Sequence, residues 1–464
     1  MAVFDPESLA AALAGYASVG RVWIAYSGGL DSTALLRAAA AVRERLPGAL
    51  WAVHIDHGLH PESRRWSEHC RATCESLAIP FLGRRLDLGP RPGESPEAVA
   101  RVARYGEFSV LLAPGDLLLT AHHQDDQAET LLLALIRGSG VHGLAAMPVA
   151  AELGLGRLIR PLLDRTRAEL EHYVRTLGMT WVEDPTNGEP SMDRTYLRNL
   201  VMPLMRERWP AVSATLARSA GHCAETAVLV DLVAGHELAG LTGERPGTLS
   251  VAALKRVEPV LRKAVLRLWL RRRGFRLPDT VHLGRIVNEV LTARPDADPL
   301  VAWPGCEVRR YRQDLFALRP LPPVPVDLAC RWEGPVLDLP AGLGTLERFP
   351  DDGEAGWPAA QPEPLLVRFG VTELTCRPGD SAHHRPLKKI FQEAGIPSWL
   401  RPYVPLLFAG DQLLAVLGVC RCEPTGAVQQ SVIVAEDSAP PVRGAPPPRV
   451  RWSGHPWESL GFFR

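Results

Sequence analysis

A doubly wound parallel α/β sheet, followed by a helical domain and a small α+β C-terminal domain, is what the order of residues predicts. Three observations carry that expectation. From residue 20 to about 165, apolar runs of strand length alternate with helical periodicity, and such alternation builds a parallel sheet with helices on both faces. From about 166 to 295 the pattern is almost wholly helical. Beyond a Pro-rich passage, a short mixed unit spans 365–435.

The first strand is placed at 21–26, where Val22-Trp23-Ile24-Ala25-Tyr26 forms the apolar run of a buried parallel strand. Further strands are expected at 50–56, 80–87, 116–120 and 157–160, with helices at 31–46, 62–78, 96–112 and 124–137. Alternation around Gln313-Asp314 within 300–318 predicts a hairpin. The domain boundaries read as 1–215 (α/β), 216–325 (mostly helical), 326–364 (Pro-rich linker mixed with short strands), 365–435 (α+β) and 436–464 (a Pro/Arg tail).

Composition narrows the function less than the motifs do. The 464 residues balance 52 Lys+Arg against 52 Asp+Glu, so net charge neither selects nor excludes a nucleic-acid partner. Charge is uneven, however: nine Lys/Arg and one acid, Glu258, lie between Lys255 and Arg276. Of the eight cysteines, Cys70/Cys74 and Cys420/Cys422 are local pairs without a second matching pair, so zinc is not expected and reduced, buried thiols are. That usage, with no signal-like N-terminus and no membrane-length apolar run, predicts a cytoplasmic protein without a membrane partner.

The first strand runs into Ser27-Gly28-Gly29-Leu30-Asp31-Ser32-Thr33 and then a helix. A small-residue turn there leaves backbone N–H groups pointing at one spot, the helix dipole adds positive potential, and the hydroxyls add donors. This is a phosphate cradle, and its lack of Lys suits a departing pyrophosphate better than a transferred γ-phosphoryl group. Asp31 within an anion site calls for a divalent metal between it and the phosphates. The second strand ends in His54-Ile55-Asp56-His57-Gly58, the position that abuts base and ribose in such sheets. The fourth ends in His122-His123-Gln124-Asp125-Asp126-Gln127-Ala128-Glu129. One acid would suffice for a helix cap, so two histidines and three acids point to chemistry. On the intervening helix, Arg101, Arg104 and Tyr105 share a face.

Together these segments resemble the PP-loop (N-type) ATP pyrophosphatases, and within them the tRNA(Ile)-lysidine synthetase family. The likeness continues through Arg137-Gly138-Ser139-Gly140, Arg160-Pro161-Leu162-Leu163, Glu183-Asp184-Pro185-Thr186-Asn187, Arg198-Asn199 and Leu387-Lys388-Lys389-Ile390-Phe391. His60 departs from the Arg usual after Gly-Leu, and the loop Arg377–Arg385 is compressed.

The resemblance implies a carbon–nitrogen ligase that uses ATP and Mg2+ to adenylylate the wobble cytidine of a tRNA(Ile) with a CAU anticodon. Free L-lysine then attacks carbon 2, giving lysidine, AMP and pyrophosphate. It implies ATP binding by Ser27, Gly28, Gly29, Leu30, Asp31, Ser32, Thr33, His54 and Asp56, with Asp31 also the metal ligand. Asp31, Arg101 and Asp125 become the catalytic residues, Arg101 stabilising the activated cytidine and Asp125 orienting the lysine ammonium and accepting its proton. It places Thr186, Asn187, Arg194, Arg198, Asn199, Lys388 and Lys389 at the tRNA, and leaves a homodimer open. The alternatives are a PP-loop tRNA thiolase, for which Cys70/Cys74 is a poor substitute for paired site cysteines, and a non-catalytic tRNA-binding protein.

Overall fold

The computed structural model describes residues 4–16, 20–58, 60–86, 96–183, 193–294, 297–324, 326, 328–340, 342–349, 365–371, 373–379, 381, 383–422, 449–455 and 458. The chain divides into two compact units, Met1–Leu229 and Val230–Arg464.

The first unit begins with helix α1 (Glu7–Leu13), then β1 (Arg21–Ala25), α2 (Leu30–Ala41), β2 (Ala49–Asp56), α3 (Ser63–Ser76), β3 (Phe81–Arg85), α4 (Pro96–Leu111), β4 (Leu117–Leu119), α5 (Gln124–Ile136) and α6 (Val141–Leu144). After these come β5 (Ala150–Leu153), β6 (Gly156–Ile159), α7 (Arg167–Thr176), α8 (Asp193–Tyr196), α9 (Met202–Arg208) and α10 (Val212–Ala239), the last running on into the second unit. The expected 215/216 boundary therefore falls inside a continuous helix.

Strand order is β3-β2-β1-β4-β6-β5, parallel except for β5, which pairs antiparallel with β6. The five parallel strands coincide with the expected ones. The edge strand β5 has no counterpart in the sequence reading, because four residues of burial pattern exposed–half–exposed–half carry no apolar run. Order reverses between β1 and β4: the chain lays β2 and β3 on one side of β1, then returns to place β4 on the other. Ligands in open α/β sheets bind in the crevice outside the strand C-termini at such a reversal. Both faces are covered. Val22, Ile24, Leu117 and Leu119 pack with Leu35 and Leu36 on one side, and Trp23, Val53, Leu118 and Leu158 with Phe108 on the other. This is the alternation a two-sided buried strand requires.

The start of β1 is held by a buried carboxylate. Asp116 accepts hydrogen bonds from the Arg21 N–H (2.9 Å), the Trp23 indole N–H (3.2 Å) and the Ala113 N–H (3.2 Å). One side chain thus satisfies three donors at the N-terminal margin of the sheet.

The second unit carries β7 (Leu249–Ser250), α11 (Val251–Arg256), α12 (Pro259–Arg272), α13 (Thr280–Arg285), β8 (Leu300–Trp303), β9 (Cys306–Tyr311) and β10 (Asp314–Leu318), the strands ordered β7-β10-β9-β8. The expected hairpin is β9–β10. Then come β11 (Ala329–Trp332), β12 (Val336–Asp338), β13 (Thr345–Phe349), β14 (Leu365–Arg368), β15 (Thr375–Cys376), β16 (Arg385–Pro386), α14 (Leu387–Glu393), β17 (Leu406–Ala409), β18 (Gln412–Val416), β19 (Cys420–Arg421) and β20 (Arg449–Ser453). Strands β11–β13 lie within the expected linker, and β11 joins the sheet β11-β14-β17-β18-β19. Within the expected tail, β20 pairs with β13, and the Pro-rich stretch before it lies outside the described residues. Among the described residues no helix is long and apolar enough to cross a membrane.

Replacing Asp116 with Ala strands a buried indole N–H and two backbone donors. We expect urea unfolding of the full chain to report a loss of about 2–4 kcal/mol, with helix and strand content unchanged.

Candidate active site at the sheet's C-terminal edge

The turn after β1 is shaped by close approach. Gly28 has φ of +85°, and a Cβ there would lie 2.9 Å from the Cys70 sulfur and 3.3 Å from Val182. Its carbonyl accepts the Val182 N–H at 2.9 Å. Gly29 is the extended N-cap of α2, and no side chain caps the helix. The first-turn N–H groups are thus not occupied by a cap and can meet an anion. Ser32 Oγ donates to the Gly29 carbonyl (3.0 Å) and sits 3.0 Å from Ser27 Oγ, while Thr33 Oγ1 bonds the Gly28 carbonyl at 3.4 Å. Leu30, Ser32 and Thr33 are buried, which anchors the turn.

Across the strand-order reversal, His123 caps α5 and meets the same turn. Its imidazole is buried, with Nε2 3.6 Å from Asp31 Oδ2 and 3.4 Å from Asp126 Oδ2, and Nδ1 3.8 Å from Asp125 Oδ2. Burial opposes a charge on this ring, but the hydrogen bond to Asp31 and the field of three carboxylates outweigh it and raise its pKa. Arg167, the first residue of α7, closes the ring of contacts. Its N–H donates to Asp125 Oδ2 (3.0 Å) and its side-chain Nε lies 3.7 Å from Asp31 Oδ1. Asp31 and Asp125 are thereby joined through His123 and Arg167.

Asp125 is firmly ionised. Burial alone would raise its pKa, but the Ser213 hydroxyl, the Arg167 N–H, His123 and Arg206 together hold it below the usual carboxylate range, with Arg206 Nη2 2.6 Å from Oδ1. A carboxylate so held positions a cation well and is a weak base.

The third group comes from α4. Arg101 is exposed, its guanidinium 5.0 Å from the Tyr105 ring centre. It bears on the site through charge, disfavouring a proton on His122. His122, 2.9 Å from Thr120 Oγ1, is pushed down to about 4 chiefly by burial, Asp126 opposing and Arg160, Arg194 and Arg101 adding to the effect. His57 is also pushed down to about 4, by burial and then by Arg104. Both rings are neutral at pH 7. His54 is buried, its Nδ1 2.9 Å from the Tyr26 carbonyl, and Asp56 accepts the Gly58 N–H at 2.8 Å. The two expected nucleotide-binding residues of β2 thus shape the strand ends beside the phosphate turn.

The residues expected at the tRNA separate into three groups. Arg194 and Arg198 direct their guanidinium groups at buried carboxylates. Arg194 reaches Asp126 (3.0 Å) and Glu129 (2.9 Å), and Arg198 reaches Asp126 (2.8 Å) and Glu129 (2.7 Å). Only about a third of each side chain stays exposed, 35% in both cases. Asn199 and, in the second unit, Lys388 and Lys389 on α14 are exposed. Thr186 and Asn187 lie outside the described residues. The Arg-rich run of α11–α12 is partly structural: Arg262 donates to the carbonyls of Leu254, Lys255 and Val257, and Arg273 to that of Gly247.

Arg167, Arg206 and the buried Arg160 were not singled out as site residues by sequence reasoning. Arg167 lies inside the capping box, between Thr166 and Glu169, and Arg206 lies on a short helix. Neither position carries a pattern distinguishing it from a solvated arginine.

Comparison with known proteins gives a consistent assignment along the chain. Family models match a PP-loop domain at residues 7–205, a TilS substrate binding domain at 249–316 and a TilS substrate C-terminal domain at 365–433. A tRNA(Ile)-lysidine synthase of Coxiella burnetii (strain RSA 493 / Nine Mile phase I) is 41% identical over 422 residues, covering 91% of this chain and 94% of the relative. That of Methylococcus capsulatus (strain ATCC 33009 / NCIMB 11132 / Bath) is 40% identical over 401 residues, covering 85% and 90%. Among solved structures, the U34-tRNA thiolase NcsA from Methanococcus maripaludis aligns with TM-score 0.41 and 16% identity over 47% of this chain and 77% of that one, too distant to bear on function. With three family models in register and relatives matched over most of both lengths, the chain belongs to the tRNA(Ile)-lysidine synthase family.

Proposed function

We propose that the chain converts the wobble cytidine of a CAU-anticodon tRNA(Ile) into lysidine in the cytoplasm, consuming ATP and free L-lysine. The observation that carries this reading is the meeting of the phosphate turn and His123 at the strand-order reversal, with Asp31 and Asp125 on either side of the ring. The cytosine O2 is a very poor leaving group. Attack of O2 on the α-phosphorus releases pyrophosphate and leaves an AMP ester, and the lysine amine then forms the bond to carbon 2 as AMP departs.

Named residues divide this work. Ser27 to Thr33 bind the β- and γ-phosphates through backbone and hydroxyl donors. The buried Asp31 Oδ1 has no hydrogen-bond partner, which suits a hard oxygen-seeking cation. Asp31 would hold Mg2+, which supplies charge stabilisation for the departing pyrophosphate. Arg101, exposed on the same edge, stabilises the activated cytidine. Asp125 orients the lysine ammonium; because its pKa is depressed, its hold on the cation is the stronger part of its role and proton acceptance the weaker. The base must leave the anticodon stack to reach this edge. Lys388 and Lys389 contact tRNA phosphates, and Thr186, Asn187 and Asn199 are the candidates for contact with the anticodon. Arg194 and Arg198 support that surface by fixing α8 and the helical turn after it to α5. The thiolase reading is not favoured: Cys70 and Cys74 are buried and pushed up to about 12, chiefly by burial, which keeps them protonated.

Three outcomes are expected. Asp31→Ala abolishes tRNA-dependent pyrophosphate release and incorporation of labelled lysine while tRNA binding persists; near-normal activity in this variant removes the assignment. Lys388→Ala/Lys389→Ala weakens tRNA binding and lowers the slope of log affinity against log salt by about 1–2, and an unchanged slope takes α14 off the binding surface. The third concerns acid stability. The folded chain refuses a proton on His122 that the unfolded chain accepts below pH 6.5, so stability falls as pH drops from 6.5 towards about 4 and levels off below. Over that window the wild type loses roughly 2–3 kcal/mol that His122→Asn does not lose, read from urea unfolding at each pH.

A further inference from the structure

The second unit gathers three cysteines that the sequence keeps apart. Cys376 ends β15, Cys420 begins β19, and Cys422 follows it, bridged to Pro378. Their sulfur atoms all lie within 4.8 Å of one another. Cys376 and Cys422 are buried and Cys420 is half-buried, and none of the three forms a disulfide. A metal with tetrahedral thiolate ligands at 2.3 Å separates its sulfurs by roughly 3.8 Å, so small side-chain adjustments bring the three onto one ion.

We propose that Cys376, Cys420 and Cys422 bind a zinc ion that ties the β15–β16 hairpin to the end of the sheet. This site is independent of the lysidine chemistry. These cysteines pack in the hydrophobic core of their sheet as others do elsewhere, but here three sulfurs from two distant segments converge on one spot. Cys306 lies in the core around β9, and Cys70 and Cys74 sit one helical turn apart under the first sheet. The surrounding backbone also gives a reason for a cross-link. Strands β15, β16 and β19 are two residues long, and the contacts joining them to each other and to β18 include the Gly379 N–H on the Arg421 carbonyl (3.2 Å) and the Cys422 N–H on the Leu414 carbonyl (2.8 Å). Strands so short do not hold register unaided. Cys376 lines a surface cavity together with His384 and Asp411, so the fourth position of the ion would open toward that cavity. Binding converts each thiol to a thiolate and releases its proton. Because β16 leads directly into α14, the ion would also fix the start of the helix bearing Lys388 and Lys389.

Cysteine spacing alone does not predict zinc, because neither Cys70/Cys74 nor Cys420/Cys422 has a second local pair to match it. Cys376 supplies the missing sulfur from far upstream, and only sheet pairing reveals it.

The test uses the full chain purified under reducing conditions without chelator. Elemental analysis is expected to find about one zinc per chain, and near none in Cys376→Ser or in Cys420→Ser/Cys422→Ser, with Cys223→Ser unaffected as a control. Because a serine variant can misfold, the wild type is also stripped and refilled with Co2+. Thiolate-to-cobalt absorption in the near ultraviolet with intense visible bands supports the site. A wild type that holds no stoichiometric zinc and shows no such spectrum overturns it. So does mass spectrometry locating a disulfide between any two of the three cysteines.

Discussion

The contact between Asp31 and His123 is the constraint on which the rest of the first unit depends. One residue belongs to the turn after β1 and the other to the turn after β4, and these strands are neighbours only because the chain reverses its order between them. That reversal opens a crevice at the C-terminal edge that no connecting helix fills. A helix N-terminus that attracts anions is thereby set beside a concentration of carboxylates that repel them, a conflict that a cation between the two resolves. His123 and Arg167 supply positive charge from the protein itself, and Asp31 Oδ1 retains unused acceptor capacity.

A second layer of charge holds the first in place. Asp126 and Glu129 are buried and shared by Arg194 and Arg198, while Asp125 is held by Arg206. The cost of removing such carboxylates from water is offset only while every partner remains. The network fixes the orientation of α5, and hence of His123 at its start, from the helical segments that follow α7. Neutral His122 and His57 line the same edge, so its positive charge resides in arginines and in His123, whose carboxylate neighbours favour its protonated form.

Much of this architecture was legible in the residue order, for identifiable reasons. The five parallel strands announce themselves because burial on both faces forces continuous apolar runs, as in Val22–Tyr26 and Leu117–Leu119. The phosphate turn is legible because only small residues allow the approach seen at Gly28. What escaped belongs to tertiary pairing. Strand β5 is too short and too exposed to leave a pattern. Arg194 and Arg198 look like surface cations until Asp126 and Glu129 appear opposite them. Arg167 and Arg206 matter only because of where the helices α7 and α9 end up, which no local spacing encodes.

The first sheet's two margins have a bearing on how copies of the chain can meet. One margin is β3, which finishes in Arg84 and Arg85, and the other is β5, whose Glu152 pairs with Arg157 at 3.2 Å. Short, charged borders of this kind offer poor templates for an incoming strand and guard against edge-on polymerisation. Self-association of the first unit is thereby steered away from the sheet edges and toward helix or loop surfaces.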